Sequence, residues 1–262
     1  MGVINITPDS FYAGSRQTDE KEILHNVEKM LTDGASIIDI GGYSSRPGAE
    51  PISEVEEVQR VLHPIAAIRK RFPDVIVTVD TFRSAIARKA VDAGADMIND
   101  ISGGELDHEM HNTVAQLQVP YICMHMKGTP ETMNSLANYS NLEHEIIEYF
   151  HQKIATLQRA GVKDIIIDPG FGFAKTIEQN FQLMNNLSML SMLGKPLLIG
   201  VSRKSMIWKT LQTSPEHALN GTTALNIVAL MKGASILRVH DVKEAVETVK
   251  LFTHLTQAEG RV

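Results

Sequence analysis

The sequence holds one cysteine, Cys123, in 262 residues, so no internal disulfide can form and a reducing compartment suits the chain. No apolar run approaches the ~18 residues that a membrane-spanning helix needs. The N-terminus shows no basic stretch followed by an apolar signal core. A soluble, cytoplasmic protein is the expectation. No basic stripe is present either: the net charge is −6, which argues against a nucleic-acid partner. Nucleotide and metal signatures are missing as well. There is no G-x-x-x-x-G-K-[ST] phosphate loop, Gly170-Phe171-Gly172 lacks the third glycine of a dinucleotide fingerprint, and neither H-E-x-x-H nor paired cysteines mark a zinc site. His108 and His111 read as a solvated helix face, and Cys123, inside an apolar run, as a core filler. No Pro/Ser-rich linker or low-complexity run divides the chain, so residues 1–262 read as a single domain.

What is present is a repeating alternation. Short apolar runs lie at Val3–Ile6, Ile37–Ile40, Val75–Asp80, Met97–Asp100, Pro120–Met124, Ile165–Asp168, Leu197–Val201 and Ile236–His240. Between them stand segments with helical periodicity, and glycine follows many of these. Asp19 and Glu22 give an acidic capping spacing for the first helix. Ser53 to Glu56 and Thr176 to Gln179 read as capping boxes, Met110–Leu117 as a helix, Pro215–Lys232 as one long helix, and Asp241 as the cap of the last. Near-continuous apolar strands indicate a parallel sheet buried on both faces. Eight strand–helix units in one domain point to an α/β fold, a (β/α)8 TIM barrel with its active site at the C-terminal ends of the strands.

Those ends carry polar residues: Asn5, Asp39, Asp80, Asn99, Asp168, Lys204, Arg238 and His240. A lone polar side chain ending an apolar strand must find a partner or face a cavity. Carboxylates with an asparagine can read a flat heterocycle that presents N–H donors. Lys204, Arg238 and His240 can hold an anion, phosphate-like groups above all. Arg238 and His240 are two apart on a strand and share a face. The turn Asp168-Pro169-Gly170-Phe171-Gly172-Phe173-Ala174-Lys175, with two glycines behind a carboxylate, gives room for something to come close.

Seven segments, in order, resemble the dihydropteroate synthase family: Val3–Phe11, Gly41–Gly48, Val79-Asp80-Thr81, Ile98-Asn99-Asp100, Asp168–Phe173, Ser202-Arg203-Lys204 and Arg238-Val239-His240. The resemblance implies an enzyme of folate biosynthesis, a transferase that joins (7,8-dihydropterin-6-yl)methyl diphosphate to 4-aminobenzoate and releases diphosphate. It also implies the barrel, magnesium as cofactor, a homodimer through outer helices and inhibition by sulfonamides. By motif match, Asp80, Asn99, Asp168 and Lys204 would read the pterin, with Met124 and Phe173 lining its pocket. Asn5 would be the magnesium ligand, and Ser45, Arg238 and His240 would hold the diphosphate. Phe11 and the segment Ser44 to Pro47 would close over the aminobenzoate, with Ser202 near its carboxylate. Lys204, Arg238, His240 and Arg46 are the candidate catalytic residues. No activated nucleophile or general base stands out, so C–O ionisation followed by amine attack is the mechanism implied. Two features depart from the family. Ser45 stands where threonine is common, and the sequence starts almost on its first strand where relatives carry preceding residues. A pterin-dependent methyltransferase and a catalytically idle pterin-binding protein are the competing readings. Neither calls for an Asn5 metal position together with an Arg238/His240 anion site.

Overall fold

The computed structural model describes residues 1–6, 16–44 and 50–259, without the side chains of residues 16–19, 258 and 259. Its strands are β1 Gly2–Asn5, β2 Ile37–Gly41, β3 Ile76–Asp80, β4 Met97–Asp100, β5 Tyr121–Met124, β6 Ile165–Asp168, β7 Leu198–Ile199 and β8 Ile236–Leu237. β1 to β6 pair in chain order and β7 pairs with β8, all parallel. Two bridges complete the circuit, Ile167 with Leu197 and Gly2 with Val239. At the second, Val3 donates to the Val239 carbonyl (3.1 Å) and Val239 to that of Met1 (3.0 Å). Each strand therefore has a neighbour on both sides, giving the closed (β/α)8 barrel expected from the alternation.

Helices cover the outside: α1 Arg16–Thr32, α2 Glu54–Arg71, α3 Ser84–Asp92, α4 Met110–Leu117, α5 Leu142–Ala160, α6 Ile177–Asn185, α7 Ser205–Thr210, α8 Leu219–Met231 and α9 Val242–Glu259. Among the described residues, none is long and apolar enough to cross a membrane.

The two-residue period of a strand sorts side chains between two environments. Ile38, Ile40, Val77, Val79, Ile98, Tyr121, Cys123, Ile165, Ile167 and Ile199 point outward and form the large core with the helices. The inward set starts apolar, with Met97, Ile122, Ile166 and Leu198 packed together at the bottom of the barrel. One step further along each strand, the same inward face carries Asn99, Met124 and Asp168. The apolar plug thus hands over to a polar upper layer, which is where a site belongs.

Several local expectations change. α1 begins at Arg16, three residues before Asp19, so the Asp19/Glu22 spacing marks acidic early turns and not a cap. The Thr176/Gln179 capping box is fully formed. At Ser53 only half of the box is made: its hydroxyl accepts from the Glu56 N–H, while the Glu56 carboxylate turns to Arg60. The predicted Pro215–Lys232 helix is broken into a 3-10 turn, Pro215–His217, and α8. Arg203 Nη1 takes the carbonyls of Pro215 and Glu216, which a continuous helix would spend on residues four further on. β7 and β8 are shorter than their apolar runs, and α7 intervenes after β7. The Asp241 carboxylate is held by Arg203 through two bonds of 2.9 Å and does not cap α9. His111 is half-buried, its ring nitrogen 3.0 Å from the Gly103 carbonyl and its ring edge-on to Tyr121, whereas His108 is exposed as expected.

Candidate active site

Register fixes the first part of the site. Asn5 pairs with Gly41, Gly41 with Asp80, and Asp80 with Asn99, so one row at the rim crosses four strands. Residues in register on parallel strands share a face, which places Asn5, Asp80 and Asn99 together over the barrel mouth. Gly41 leaves the space between Asn5 and Asp80 open, since a Cβ there would meet both side chains at 3.5 Å. On the far side Met124 pairs with Asp168.

Arg238 crosses the mouth to the acidic side. Its Nε lies 2.7 Å from Asp39 Oδ2, and its Nη2 lies 2.6 Å from the same oxygen and 2.7 Å from Asp80 Oδ2. Asp39, fully buried, accepts weakly from Asn99 as well (3.5 Å), and its Oδ1 has no partner among the described residues. Burial raises the Asp80 carboxyl above its ordinary range, Arg238 opposes the rise, and the adjacent Asp39 adds to it. Burial also works against the Arg238 charge, and the two carboxylates more than offset it, holding the guanidinium protonated. Beyond Asp80, buried Glu57 accepts from the Thr81 hydroxyl (2.7 Å) and from Arg83 (2.6 Å), which secures the exit of β3.

The opposite wall is the turn after β6. Asp168 is buried; its Oδ1 accepts from the Gly170 N–H at 2.8 Å and leaves Oδ2 for another donor. Burial raises its pKa, with Lys204 the main opposing charge. Lys204 follows β7, preceded by Arg203 in the left-handed region (φ 54°), and reaches across to the Phe171 carbonyl. Its ammonium stands 4.7 Å from the centre of the Phe173 ring. Burial lowers the Lys204 pKa to about 8, with Asp168 pulling the other way. Met124 and Phe173 pack with Ile101, Met126, Met133, Ala174 and Phe82 into an apolar lining at the rim. Gly170 and Gly172 both have positive φ; a Cβ at the first would collide with the His125 carbonyl, and one at the second would press on the Lys204 stem at 3.1 Å.

Ser202 is buried, and its hydroxyl is engaged by His240, 3.2 Å from the backbone N–H and 3.1 Å from Nδ1. His240 itself is exposed on the Arg238 side. Asn5 is exposed at the end of β1. Ser45, Arg46 and Phe11 lie outside the described residues. Of the remaining predicted site residues, the barrel gathers all at one rim. Sequence reasoning noted Asp39 as a polar strand end but gave it no role; its partner Arg238 lies 199 residues away and leaves no local trace. It also missed His125 and Lys175, the first read as loop and the second as the end of a turn.

Comparison with known proteins gives this rim its context. Residues 1–240 match the model of the pterin-binding enzyme family. The dihydropteroate synthase of Synechocystis is 44% identical over 254 residues, 96% of this chain and 88% of that protein. That of Escherichia coli K12 is 39% identical over 257 residues, covering 96% and 89%. Among solved structures, Yersinia pestis dihydropteroate synthase in complex with a sulfonamide drug superposes with a TM-score of 0.91 at 39% identity, covering 98% of this chain and 93% of that one. Xanthomonas albilineans dihydropteroate synthase with 4-aminobenzoic acid gives 0.88 at 36% identity, covering 100% and 93%. A matched family model over most of the chain and near full-length relatives agree: the chain belongs to the dihydropteroate synthase family of pterin-binding enzymes.

Proposed function

We propose that the chain condenses (7,8-dihydropterin-6-yl)methyl diphosphate with 4-aminobenzoate to give 7,8-dihydropteroate and diphosphate, as a transferase of folate biosynthesis. The observation that carries this reading is one rim with two chemically distinct walls. A buried carboxylate with an uncommitted oxygen, beside a lysine and an aromatic ring, stands opposite a guanidinium and an imidazole.

The pterin lies against the Asp168 wall. Asp168 Oδ2 accepts from the amino and ring N–H edge, Asn99 and Asp80 complete the polar frame, and Lys204 donates to the ring carbonyl or nitrogen. Met124 and Phe173 cover the faces of the ring, which suits a flat heterocycle. Arg238 and His240, with Ser45, receive the diphosphate. Ser202 acts there by fixing the His240 ring, so its link to the aminobenzoate is indirect. Phe11, Arg46 and the rest of the Ser44–Pro47 segment are assigned by the family motifs to the aminobenzoate, for which a sulfonamide would compete.

Asn5 suits a magnesium ion that keeps most of its shell for water and diphosphate oxygens, because it offers one hard, exposed oxygen at the rim. Among the described residues no group of three or more His, Cys, Asp or Glu forms a separate all-protein cage. Bound there, magnesium would neutralise charge on the departing diphosphate. The protein's own part is electrostatic. Arg238 and His240 stabilise the leaving diphosphate as the C–O bond ionises, Asp168 and Asp80 accommodate positive charge spreading over the pterin, and the weakly basic arylamine then attacks.

The outer helices support a homodimer: Leu211, Met231, Val249, Leu251 and Leu255 are exposed around α7 to α9. Sedimentation at the monomer mass would count against it. A cytoplasmic location accords with a single, buried cysteine.

The deciding experiment follows diphosphate release with and without 4-aminobenzoate, for the wild type and Asp168→Asn. Release that requires 4-aminobenzoate supports the reading. The variant should bind pterin about 10- to 100-fold more weakly, the worth of one charged, buried hydrogen bond. Unchanged pterin affinity would mean that Asp168 is assigned wrongly.

A further inference from the structure

We propose that Lys175, braced on His125, is a positioning residue for the pterin: from a buried seat it ties the exit of β6 to the exit of β5 and fixes the wall that carries Asp168 and Phe173. The inference rests on the pterin lying against that wall.

The geometry is specific. Lys175 Nζ lies 3.0 Å from His125 Nδ1, 3.1 Å from the Gly170 carbonyl and 3.1 Å from the Phe173 carbonyl. An ammonium has three protons, and here they meet three acceptors. Two of those acceptors bracket the turn, one at its first glycine and one at the ring-bearing Phe173. The third reaches the neighbouring strand. His125 belongs to the other side of the joint: its backbone N–H donates to the Asp168 carbonyl (2.9 Å), and its own carbonyl lies against Gly170. Its ring is held edge-on by Tyr149 at 4.8 Å and lies within 6.4 Å of Phe150. The rest of the turn is bound in the same fashion, by side chains. Lys204 takes the Phe171 carbonyl, Tyr139 takes that of Ala174 (2.9 Å), and Asn180 takes the Gly172 N–H (2.7 Å) and the Lys175 carbonyl (3.2 Å). The segment has three residues at positive φ, Gly170, Gly172 and Ala174, and one backbone bond of its own, from the Phe173 N–H to the Gly170 carbonyl (3.1 Å), so these side chains do much to set its shape.

A lysine is a costly choice for tying down two carbonyls. Burying an ammonium without a carboxylate in contact forfeits hydration that neutral acceptors only partly replace. The charge therefore needs a second reason, and Asp168 supplies one: its carboxylate acts electrostatically on Lys175, against the like charges of Lys204 and Lys127. Lys175 thus adds positive potential at the carboxylate proposed to accept from the pterin. Burial brings its pKa down to about 7, and burial likewise keeps His125 neutral. Loss of the Lys175 proton need not break the joint. The amine can donate to both carbonyls and accept from His125 in its Nδ1–H tautomer. The shape is then kept while the charge beside Asp168 disappears.

The test uses Lys175→Met and Lys175→Gln, titrated calorimetrically with 6-hydroxymethylpterin and, separately, with inorganic diphosphate plus magnesium. Both variants should bind the pterin at least tenfold more weakly and diphosphate within twofold of the wild type, with KM for the pterin substrate rising more than kcat falls. Equal losses for both ligands, or none for the pterin, would overturn the proposal. Should neither variant fold, His125→Phe decides, since it removes the Nδ1 brace and keeps a ring against Tyr149. Pterin binding should weaken at least threefold while diphosphate binding stays within twofold, and an unchanged pterin affinity would sink the idea. A wild type that binds no pterin at all would remove the pocket reading itself, a result distinct from either.

Discussion

Replacing Arg238 with methionine takes the cation out of a buried cluster and leaves its two acidic partners facing each other. Asp39 is wholly enclosed, Asp80 is 18% exposed at its side chain, and the guanidinium bonds to them at 2.6–2.7 Å. Removing one partner of such a buried pair costs about 3–5 kcal/mol, and the methionine stem recovers roughly 1 kcal/mol of packing at most. The loss should depend on pH in a fixed direction. Burial already raises the Asp80 carboxyl, and the Arg238 charge is what opposes the rise. Without that charge the folded-state pKa climbs further above the unfolded value of about 3.9. The folded variant then binds the extra proton, so its stability increases as the pH falls through the raised value. At about 1.4 kcal/mol per pH unit, and with the wild-type Asp80 carboxyl already raised to about 7 and gaining stability over part of the same interval, roughly 1 kcal/mol of the deficit should return between pH 8 and pH 5.5. Urea denaturation of wild type and variant at both pH values measures this. A deficit below ~1 kcal/mol at pH 8, or one that is the same at pH 5.5, would refute the reading that the Arg238 charge opposes protonation of Asp80.

Two further outcomes follow from the same structure. Gly170→Ala and Gly161→Ala both place a Cβ at positive φ, but the first collides with the His125 carbonyl while the second meets nothing within 4 Å. Gly161→Ala should cost about 1 kcal/mol, and Gly170→Ala well over 3 kcal/mol, with equal thermal shifts counting against the close approach of the two loops. Cys123 is fully buried with its thiol pushed up to about 12 by burial, so a disulfide reagent at pH 8 should leave the native protein untouched and titrate one thiol in urea. Comparable rates in both states would show that β5 is not where the fold puts it.

The barrel was legible because its cause is periodic. Eight apolar runs separated by helical patterns state the architecture, and the inward–outward alternation follows from it. The rim residues were legible because each interrupts an apolar run where a polar group has no local reason to be. What stayed hidden depends on partners distant in the chain. Arg203 stood only as the middle of the Ser202-Arg203-Lys204 segment, yet it is spent on Asp241 and on the turn before α8, and nothing near it in sequence says so. Asp241 was read as a cap for the same reason. His125 and Lys175 are fifty residues apart, and only closure of the barrel brings the exits of β5 and β6 together. The breaks at β7 and β8 were invisible because apolar composition continues past the point where pairing ends.

The ion pairs at the mouth also bear on how an anion could bind without undoing them. Arg238 commits Nε and Nη2 to Asp39 and Asp80, whereas its Nη1 makes no hydrogen bond among the described residues. Both Nη1 protons therefore remain for a ligand. Were the guanidinium to leave the carboxylates to meet a diphosphate, two buried acids would be stranded, at the cost worked out above. The more economical arrangement keeps the acidic pair as the support and presents one edge of the fork to the anion. On that view Asp39 acts by aiming Arg238, not by touching substrate. Its full burial, and the register that puts it two residues below Gly41 on the same face, leave it to act on the mouth through the arginine and, weakly, through Asn99.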